Sequence, residues 1–372
     1  MPSNKLFSTV TNFYEKLVSF QHKLIKGNAI AFIILVGLSI AMAYQSAHLS
    51  TQFDTNRQNF QTLTYGLDSY KDSIKVAWQP RIFSNYLSTE LSEVTASITG
   101  NILTSEKNVA LTVGIWTVFW FLLMGLTYIH MFGKQSIFYI IGTFAALIFG
   151  YVPQLLRIYP WDMPIVFGYV LFMALLLNKK YKWIFLLLPM AMGFKETALV
   201  LCLAFLLIDQ PWKKRVQYFI ISGVLCVTVK VIIDLLLGTP LPFFTMEHAH
   251  MVDNKLQGLY LFYNIKILLY QYSMPLFVNG GMLLAFILIP AFNREARIMK
   301  LISYAFITSI LLFGIILEYR IFFEIIPFCL YYLSQYMNNK MNNAEDEEYP
   351  EIEIENSEKS SRAYEEMAEL MA

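Results

Sequence analysis

The feature that most constrains this chain is a series of separate apolar runs, each of about 17 to 22 residues. A helix of that length crosses the roughly 30 Å hydrocarbon core of a bilayer. Hydrophobic residues make up 56% of the sequence and charged residues only 15%, whereas a soluble domain carries about 25% charged residues. The sequence therefore predicts an all-α, polytopic membrane protein.

We expect about eight full spans and one hairpin of two short helices. The predicted spans are 29–47, 109–131, 136–156, 163–178, 216–237, 275–292, 299–317 and 320–336. The hairpin, 183–208, is flanked by KKYK (179–182) and KKR (213–215), and the positive-inside rule places both clusters in the cytoplasm. Because one helix cannot begin and end on the same side, the chain should turn back near GFKE (193–196).

With that hairpin, every short basic loop falls on one side of the membrane. The predicted organisation is a cytoplasmic amino-terminal segment (1–28), a transmembrane domain (29–336) and a mostly disordered, acidic cytoplasmic tail (337–372). The outer side then holds loops 48–108 and 238–274. Both termini are expected in the cytoplasm.

The net charge of +1 conceals an unusual tail. Residues 345–372 hold eleven acidic residues against Lys359 and Arg362, a net −9, so the other 344 residues carry 26 basic and 16 acidic residues, a net +10. Like charges with few apolar neighbours do not form a core. The tail is expected to be either a solvated end or a segment that binds a protein partner.

Several function classes are excluded by what the chain lacks. Its three cysteines, Cys202, Cys226 and Cys329, all lie in apolar runs, which favours packing over a disulfide framework or a metal site. The sequence has no Gly-rich phosphate loop and no basic patch interleaved with aromatics. A soluble NTPase and a nucleic-acid-binding protein are therefore not expected.

The predicted outer side holds several charged candidates. They are Asp54 and Arg81 in the first outer loop, Asp162 beside Tyr159 in RIYPWDMP, Lys195 and Glu196 at the hairpin tip, and Glu318, Arg320 and Glu324 in EYRIFFEIIP. The hairpin-tip pair, Glu318 and Arg320 sit at the mouths of spans, where charges should face a wet cavity or pair with one another. Arg320 and Glu324 are four residues apart and would share one face of an α-helix. A functional role and a structural ion pair both remain open.

Two further groups have local interpretations. Lys230 and Asp234 lie one helical turn apart within a span and are expected to pair, since a buried lysine needs a partner. EHAHMVD (247–253) could supply metal ligands, but a plain loop is the simpler interpretation. We assign no metal, and a divalent ion has no further support.

Carboxylates and cations at the outer face suit transfer of a sugar from a lipid phosphate. The phosphate would lie against arginine or lysine, and a carboxylate would remove the proton from the attacking hydroxyl. Because the leaving group is already a stable phosphate, one base is enough for inversion, whereas retention would need a second, nucleophilic carboxylate.

The order of these motifs resembles the GT-C superfamily of polyprenyl-phosphate-sugar-dependent membrane glycosyltransferases, in particular a poorly characterised bacterial branch. The resemblance covers most of residues 29–336. It rests on an arginine motif in the first outer loop (here QPRIFSNYL), a "YD" before a span (YPWDMP), a "RET" hairpin (KET, 195–197) and an "ExR" before the last span (EYRIFFEIIP).

The resemblance implies a GT-C-like fold in a bacterial inner membrane. It also implies transfer from a polyprenyl-phosphate donor to a lipid or glycan acceptor on the extracytoplasmic face, in cell-envelope polysaccharide or glycolipid synthesis, without a required cofactor. The implied roles are base for Asp162 or Asp54, phosphate binding for Arg81, Lys195 and Arg320, and orientation or cavity lining for Glu196, Glu318, Glu324 and Tyr159.

This sequence departs from the pattern at two places. Lys195 stands where arginine is expected, which keeps the charge but loses bidentate phosphate geometry. Two residues also separate Tyr159 from Asp162. A polyprenyl-linked glycan flippase and a non-catalytic subunit of an envelope polysaccharide complex remain alternatives.

Overall fold

The computed structural model describes residues 28–51, 82–99, 105–151, 159–237, 264–266, 287–291, 293–313 and 319–348. Within these ranges the secondary structure is helical, without strands. The main α-helices are α1 (Asn28–Thr51), α2 (Ile82–Ile98), α3 (Ser105–Phe132), α4 (Ser136–Tyr151), α5 (Asp162–Leu177), α6 (Tyr181–Phe194), α7 (Trp212–Leu237), α8 (Arg294–Phe313) and α9 (Ile326–Glu348). Three 3-10 helices are also described: a short one at Gly133–Gln135, the return helix Glu196–Leu206 and the linker helix Tyr319–Ile325.

Three segments of the described chain are long and apolar enough to cross a membrane. They are Asn28–Thr51, Glu106–Phe149 and Trp212–Leu236, and shorter apolar helices cover Asp162–Leu177, Tyr181–Phe194 and Glu196–Leu206. The all-helical fold class is thus confirmed, and the apolar helices favour a membrane protein. The number of eight spans stays a prediction, because the span 275–292 lies mostly outside the described residues.

The predicted break at the hairpin is present. Helix α6 ends at Phe194, Lys195 has extended backbone angles (φ −163°, ψ 136°), and the return helix runs back along α6. The two arms have 14 and 11 residues, so each is about 21–22 Å long. Both are shorter than the roughly 30 Å hydrocarbon core, and the hairpin therefore has the dimensions of a re-entrant segment.

Helix α3 organises the rest of the bundle. It packs against α2, α4 and α5, and α4 and α5 both contact α9 and the linker helix. Gly133, at φ +55°, lets the chain turn sharply from α3 into α4. Gly125 allows α1 to approach α3 so closely that an added Cβ would overlap the Leu35 side chain. Small residues permit such crossings between membrane helices.

Two expectations gain detail and one needs correction. The predicted outer loop 48–108 includes α2, the end of α1 and the start of α3. The tail is predicted to be mostly disordered from 337; α9 continues to Glu348, and residues 349–372 lie outside the described residues. Arg320 and Glu324 lie in a 3-10 helix. Since that helix has three residues per turn, positions four apart are about 120° apart and do not share a face.

Candidate functional site

A buried ion pair joins the hairpin tip to the linker helix, Tyr319–Ile325. The Lys195 ammonium donates a hydrogen bond to Oε1 of Glu324, a residue 129 positions further along the sequence. The two side chains are only 8% and 0% exposed. A buried charge is tolerated when it is paired and hydrogen-bonded. The interaction therefore fixes the linker helix against the tip.

Tyr169, from the middle of α5, completes this buried cluster. Its hydroxyl donates to the backbone oxygen of Thr197 at 3.3 Å and lies close to the Glu324 carboxylate. Oε2 of Glu324 accepts no well-aligned hydrogen bond from the described part of the chain. The carboxylate thus holds Lys195 through one oxygen, and its other oxygen can still accept a hydrogen bond.

The YPWD turn forms the start of α5. The Asp162 carboxylate accepts a hydrogen bond from the Tyr159 backbone N–H at 3.3 Å, and the Asp162 N–H donates to the Tyr159 oxygen at 3.2 Å. These two hydrogen bonds close a turn directly before the helix, whose N-cap residue is Trp161. Asp162 is itself buried, and a helix amino terminus favours its negative charge.

Helix α3 connects the YPWD turn to the hairpin tip through two tryptophans. The Trp116 indole N–H donates to the Pro160 oxygen at 2.9 Å. Trp116 packs edge-on against Trp120, and Trp120 packs edge-on against Phe194, with ring centroids 5.5 and 5.8 Å apart. Trp116 and Trp120 are one turn apart, so the tip lies about 6 Å further along α3 than the turn.

The arginine motif of the first outer loop also reaches the tip. Phe83, in QPRIFSNYL, packs on Gly193, where an added Cβ would overlap its ring, and its ring lies 6.2 Å from that of Phe194. Arg81 precedes α2 directly in the sequence and lies outside the described residues. A side chain larger than hydrogen at position 193 would displace the start of α2.

One face of α2 is buried and polar. It consists of Ser84, Asn85, Ser88, Thr89, Ser92 and Thr95. Thr95 and Thr112 of α3 share a hydrogen bond of 2.9 Å, and Asn108 donates to the Ser92 oxygen at 3.2 Å. On the exposed face, the hydrogen bond and charge of Glu90 raise the pKa of Tyr86. Helix α2 is thus held to α3 by small polar residues.

The ion pair lies deeper in the bundle than Asp162. Tyr169, which contacts the cluster, is seven residues after Asp162, about 10 Å along the helix axis. The hairpin arms are also about 9 Å shorter than the hydrocarbon core. Both distances place the hairpin tip inside the bundle, short of the end at which α5 begins. That depth explains why Lys195 is paired rather than solvated.

The predicted site residues fall into three groups. In the first group, Asp162 contacts Tyr159 and Lys195 contacts Glu324, as two separate pairs. The second is Glu196, which is half-buried at the first position of the return helix. Of Arg320 only the backbone is described, and Asp54, Arg81 and Glu318 lie outside the described residues, as does EHAHMVD. The described partner of Lys195 is Glu324.

Three contacting residues were missed by the sequence analysis. Tyr169 and Trp116 lie in uniformly apolar spans, which give no signal for a particular side chain. Phe83 could have been found, since SNYLSTELSEVTAS repeats small polar residues at helical spacing and predicts a helix directly after Arg81.

Other sequence-based expectations are borne out. Lys230 donates to Asp234 at 2.6 Å and both are buried. The three cysteines are free and buried, with the sulfurs of Cys202 and Cys226 3.8 Å apart.

No family model matches the sequence, and no curated protein or solved structure matches it either. What the fold shows is an all-helical protein with three segments that could cross a membrane and a hairpin of two shorter apolar helices, whose tip contacts segments from several parts of the chain.

Proposed function

We propose that this protein is a membrane glycosyltransferase that uses a polyprenyl-phosphate sugar and acts at the hairpin tip. One observation supports the proposal: the other three motifs of the resemblance each connect to the KET motif or its neighbours at the hairpin tip, residues 193–197. Phe83 contacts Gly193, the YPWD turn connects through Trp116 and Trp120 to Phe194, and Glu324 binds Lys195. Motifs far apart in sequence that converge on one place are expected of a shared site.

The donor phosphate would bind near Lys195. An ammonium has three donors, and Glu324 accepts one of them, so two remain for a phosphate oxygen. Glu324 would act by holding Lys195 in place. Arg81, just before α2, and Arg320, in the linker helix, would supply further positive charge. The lipid chain would lie along the apolar outer surface of the bundle.

The proposed reaction is a single displacement. An acceptor hydroxyl loses its proton to Asp162 or Asp54 as its oxygen forms a bond to the anomeric carbon, and the bond from that carbon to the phosphate oxygen breaks. Polyprenyl phosphate leaves with the bonding electrons. Asp162 has described geometry in its favour, because the helix start holds its carboxylate in one place, about 10 Å along α5 from Tyr169 at the tip cluster; Asp54 remains open.

The test uses purified protein in nanodiscs with radiolabelled polyprenyl-phosphate sugars and membrane-extracted acceptor. We expect wild type to release polyprenyl phosphate and Asp162→Asn to lower the rate by about 100-fold or more, the range for loss of a general base. Asparagine can still accept from the Tyr159 N–H, so the fold should survive. Asp209→Asn, the same change at an exposed residue, should leave the rate unchanged.

Other results would redirect or end the proposal. If Asp54→Asn rather than Asp162→Asn abolishes release, Asp54 is the base. If the donors bind but never turn over in wild type, the enzyme proposal fails and the transporter and scaffold alternatives take its place. The pairing of Lys230 with Asp234 gives the transporter little support, because each charge already satisfies the other.

A further inference from the structure

A basic pocket lies at the opposite end of the hairpin from its tip. Its volume is about 400 Å³. The lining residues are Leu207, Arg215, Asn293, Arg294, Arg297, Ile298 and Leu301. It lies where the return helix ends and where α7 and α8 begin. Three arginines and no acidic residue line it, so an anion is the ligand it would favour.

The three arginines do different things. Arg294 is structural: it pairs with Asp209 at 2.6 Å and donates to the backbone oxygens of Leu207 and Ile208. Arg215 donates a hydrogen bond through Nε to the Gln210 backbone oxygen, so its two terminal nitrogens remain as donors for a ligand. Arg297 is exposed. Neither Arg215 nor Arg297 has a carboxylate within ion-pair distance among the described residues, so two guanidinium groups retain donors for a ligand.

Two helix starts add to the positive potential. Arg215 and Arg297 are each the fourth residue of their helix, α7 and α8. The start of α8 is capped by Asn293, whose Oδ1 accepts from the Ala296 N–H at 2.7 Å. A helix amino terminus carries about half a positive charge and stabilises an anion nearby. Helix ends and guanidinium groups therefore favour the same kind of ligand.

The surroundings of the pocket suit a lipid. Trp183 and Trp212, at the starts of α6 and α7, are 59% and 65% exposed, and exposed tryptophans are typical of the membrane–water interface. Along α8, exposed Leu301 and Tyr304 follow Arg297 on one face. A ligand with an anionic head at the arginines could lay an apolar chain along these two residues.

We infer that this pocket binds the phosphate of an anionic phospholipid in the cytoplasmic leaflet. The KKYK and KKR clusters place this end of the bundle in the cytoplasm, where anionic lipids attract basic pockets between helices. The site is separate from the hairpin tip and does not depend on the proposed transferase activity.

The acidic tail is the competing occupant. With a net charge of −9 it also complements the arginines. The lipid is favoured because Leu207, Ile298 and Leu301 form an apolar wall, which an acidic, solvated peptide would not fill well.

The test is a titration of delipidated full-length protein in neutral detergent with phosphatidylglycerol, read by native mass spectrometry. Wild type should bind it saturably, and phosphatidylcholine should not. Arg215→Gln/Arg297→Gln should weaken binding at least about tenfold, since two charge-assisted hydrogen-bonding groups are lost. Lys213→Gln/Lys214→Gln, an equal charge change at exposed neighbours outside the pocket, should change it less than about twofold. Thermal unfolding checks that both variants are folded.

Three outcomes would overturn the inference. Equal loss in the pocket and control variants would mean non-specific attraction. Binding of inorganic phosphate as tight as that of the lipid would mean a soluble ligand. A gain in lipid affinity on deleting 349–372, seen in wild type but not in the pocket variant, would make the tail the occupant.

Discussion

Two buried ion pairs in this protein have the same chemistry and very different construction. Lys230 and Asp234 are one turn apart on α7, with 2.6 Å between Nζ and Oδ1. Lys195 and Glu324 are 129 residues apart and connect the hairpin tip to the linker helix. The first pair exists as soon as α7 forms, whereas the second requires the folded bundle.

The glycines near these pairs differ in the same way. Gly193, beside Lys195, is in close contact with the ring of Phe83 from α2, while Gly223 on α7 has nothing within 4 Å of an added Cβ. The tip region is therefore built from contacts between distant segments. The α7 region depends on its own helix and exposes much of its apolar surface, including Val224 and Leu235.

Breaking each ion pair should give the largest difference in stability between the two regions. Glu324→Gln leaves the Lys195 charge buried without a counterion and should lower the free energy of unfolding by about 3–5 kcal/mol. Asp234→Asn should cost less than about 3 kcal/mol, because Lys230 is seven residues from the end of α7 and its long side chain can extend toward that end. Equilibrium unfolding in mixed detergent measures both, and equal losses would contradict the distinction.

Replacing each glycine with alanine should also distinguish the two regions, with a smaller effect on stability. Gly193→Ala forces the Phe83 ring to move and should destabilise the protein by about 1–3 kcal/mol. Gly223→Ala enters open space and should be neutral or stabilise by up to about 1 kcal/mol, the helix propensity of alanine over glycine. Thermal unfolding compares them. A Gly193→Ala protein as stable as Gly223→Ala would show that α2 does not pack at the tip.

Removing the Tyr169 hydroxyl tests whether this residue affects donor turnover as well as stability. Tyr169→Phe loses the hydrogen bond to Thr197 and should cost about 1 kcal/mol. Tyr128→Phe, which loses a 3.2 Å hydrogen bond with Thr143 elsewhere in the core, should cost about the same. Only Tyr169→Phe should also change the rate of donor turnover, because only Tyr169 lies beside Glu324. A similar change of rate in both variants would mean a general effect of stability.

Local chemistry explains what the sequence could predict. Apolar runs between basic clusters predicted α3, α5 and α7 within a few residues, and two basic ends predicted the turn at Lys195. The Lys230–Asp234 pair followed from helical spacing alone.

Tertiary contacts explain what the sequence could not predict. The partner of Lys195 comes from a segment 129 residues away, and nothing local distinguishes Glu324 from Glu196 or Glu318 as that partner. The return helix reads as an ordinary apolar helix, yet it is a 3-10 helix whose greater rise gives its 11 residues the length of α6. A search for apolar runs misses helix α2 because its buried face is polar, and only the helical spacing of its small polar residues indicates it.

We propose that the long-range pair organises the catalytic site and that the local pair does not. Two double replacements test it: Lys195→Met/Glu324→Leu and Lys230→Met/Asp234→Leu. Replacing both charges of a buried pair by apolar residues is often neutral or stabilising, so both proteins should unfold at or above the wild-type free energy. Lack of activity would then not reflect a lack of folding.

The decisive measurement is polyprenyl-phosphate release by these two folded proteins beside wild type. The account predicts a loss of about 100-fold or more for Lys195→Met/Glu324→Leu, the scale expected when a charge-stabilising group is removed. It predicts a rate within about threefold of wild type for Lys230→Met/Asp234→Leu. Equal rates in the two variants would contradict it and leave the tip pair a purely structural link.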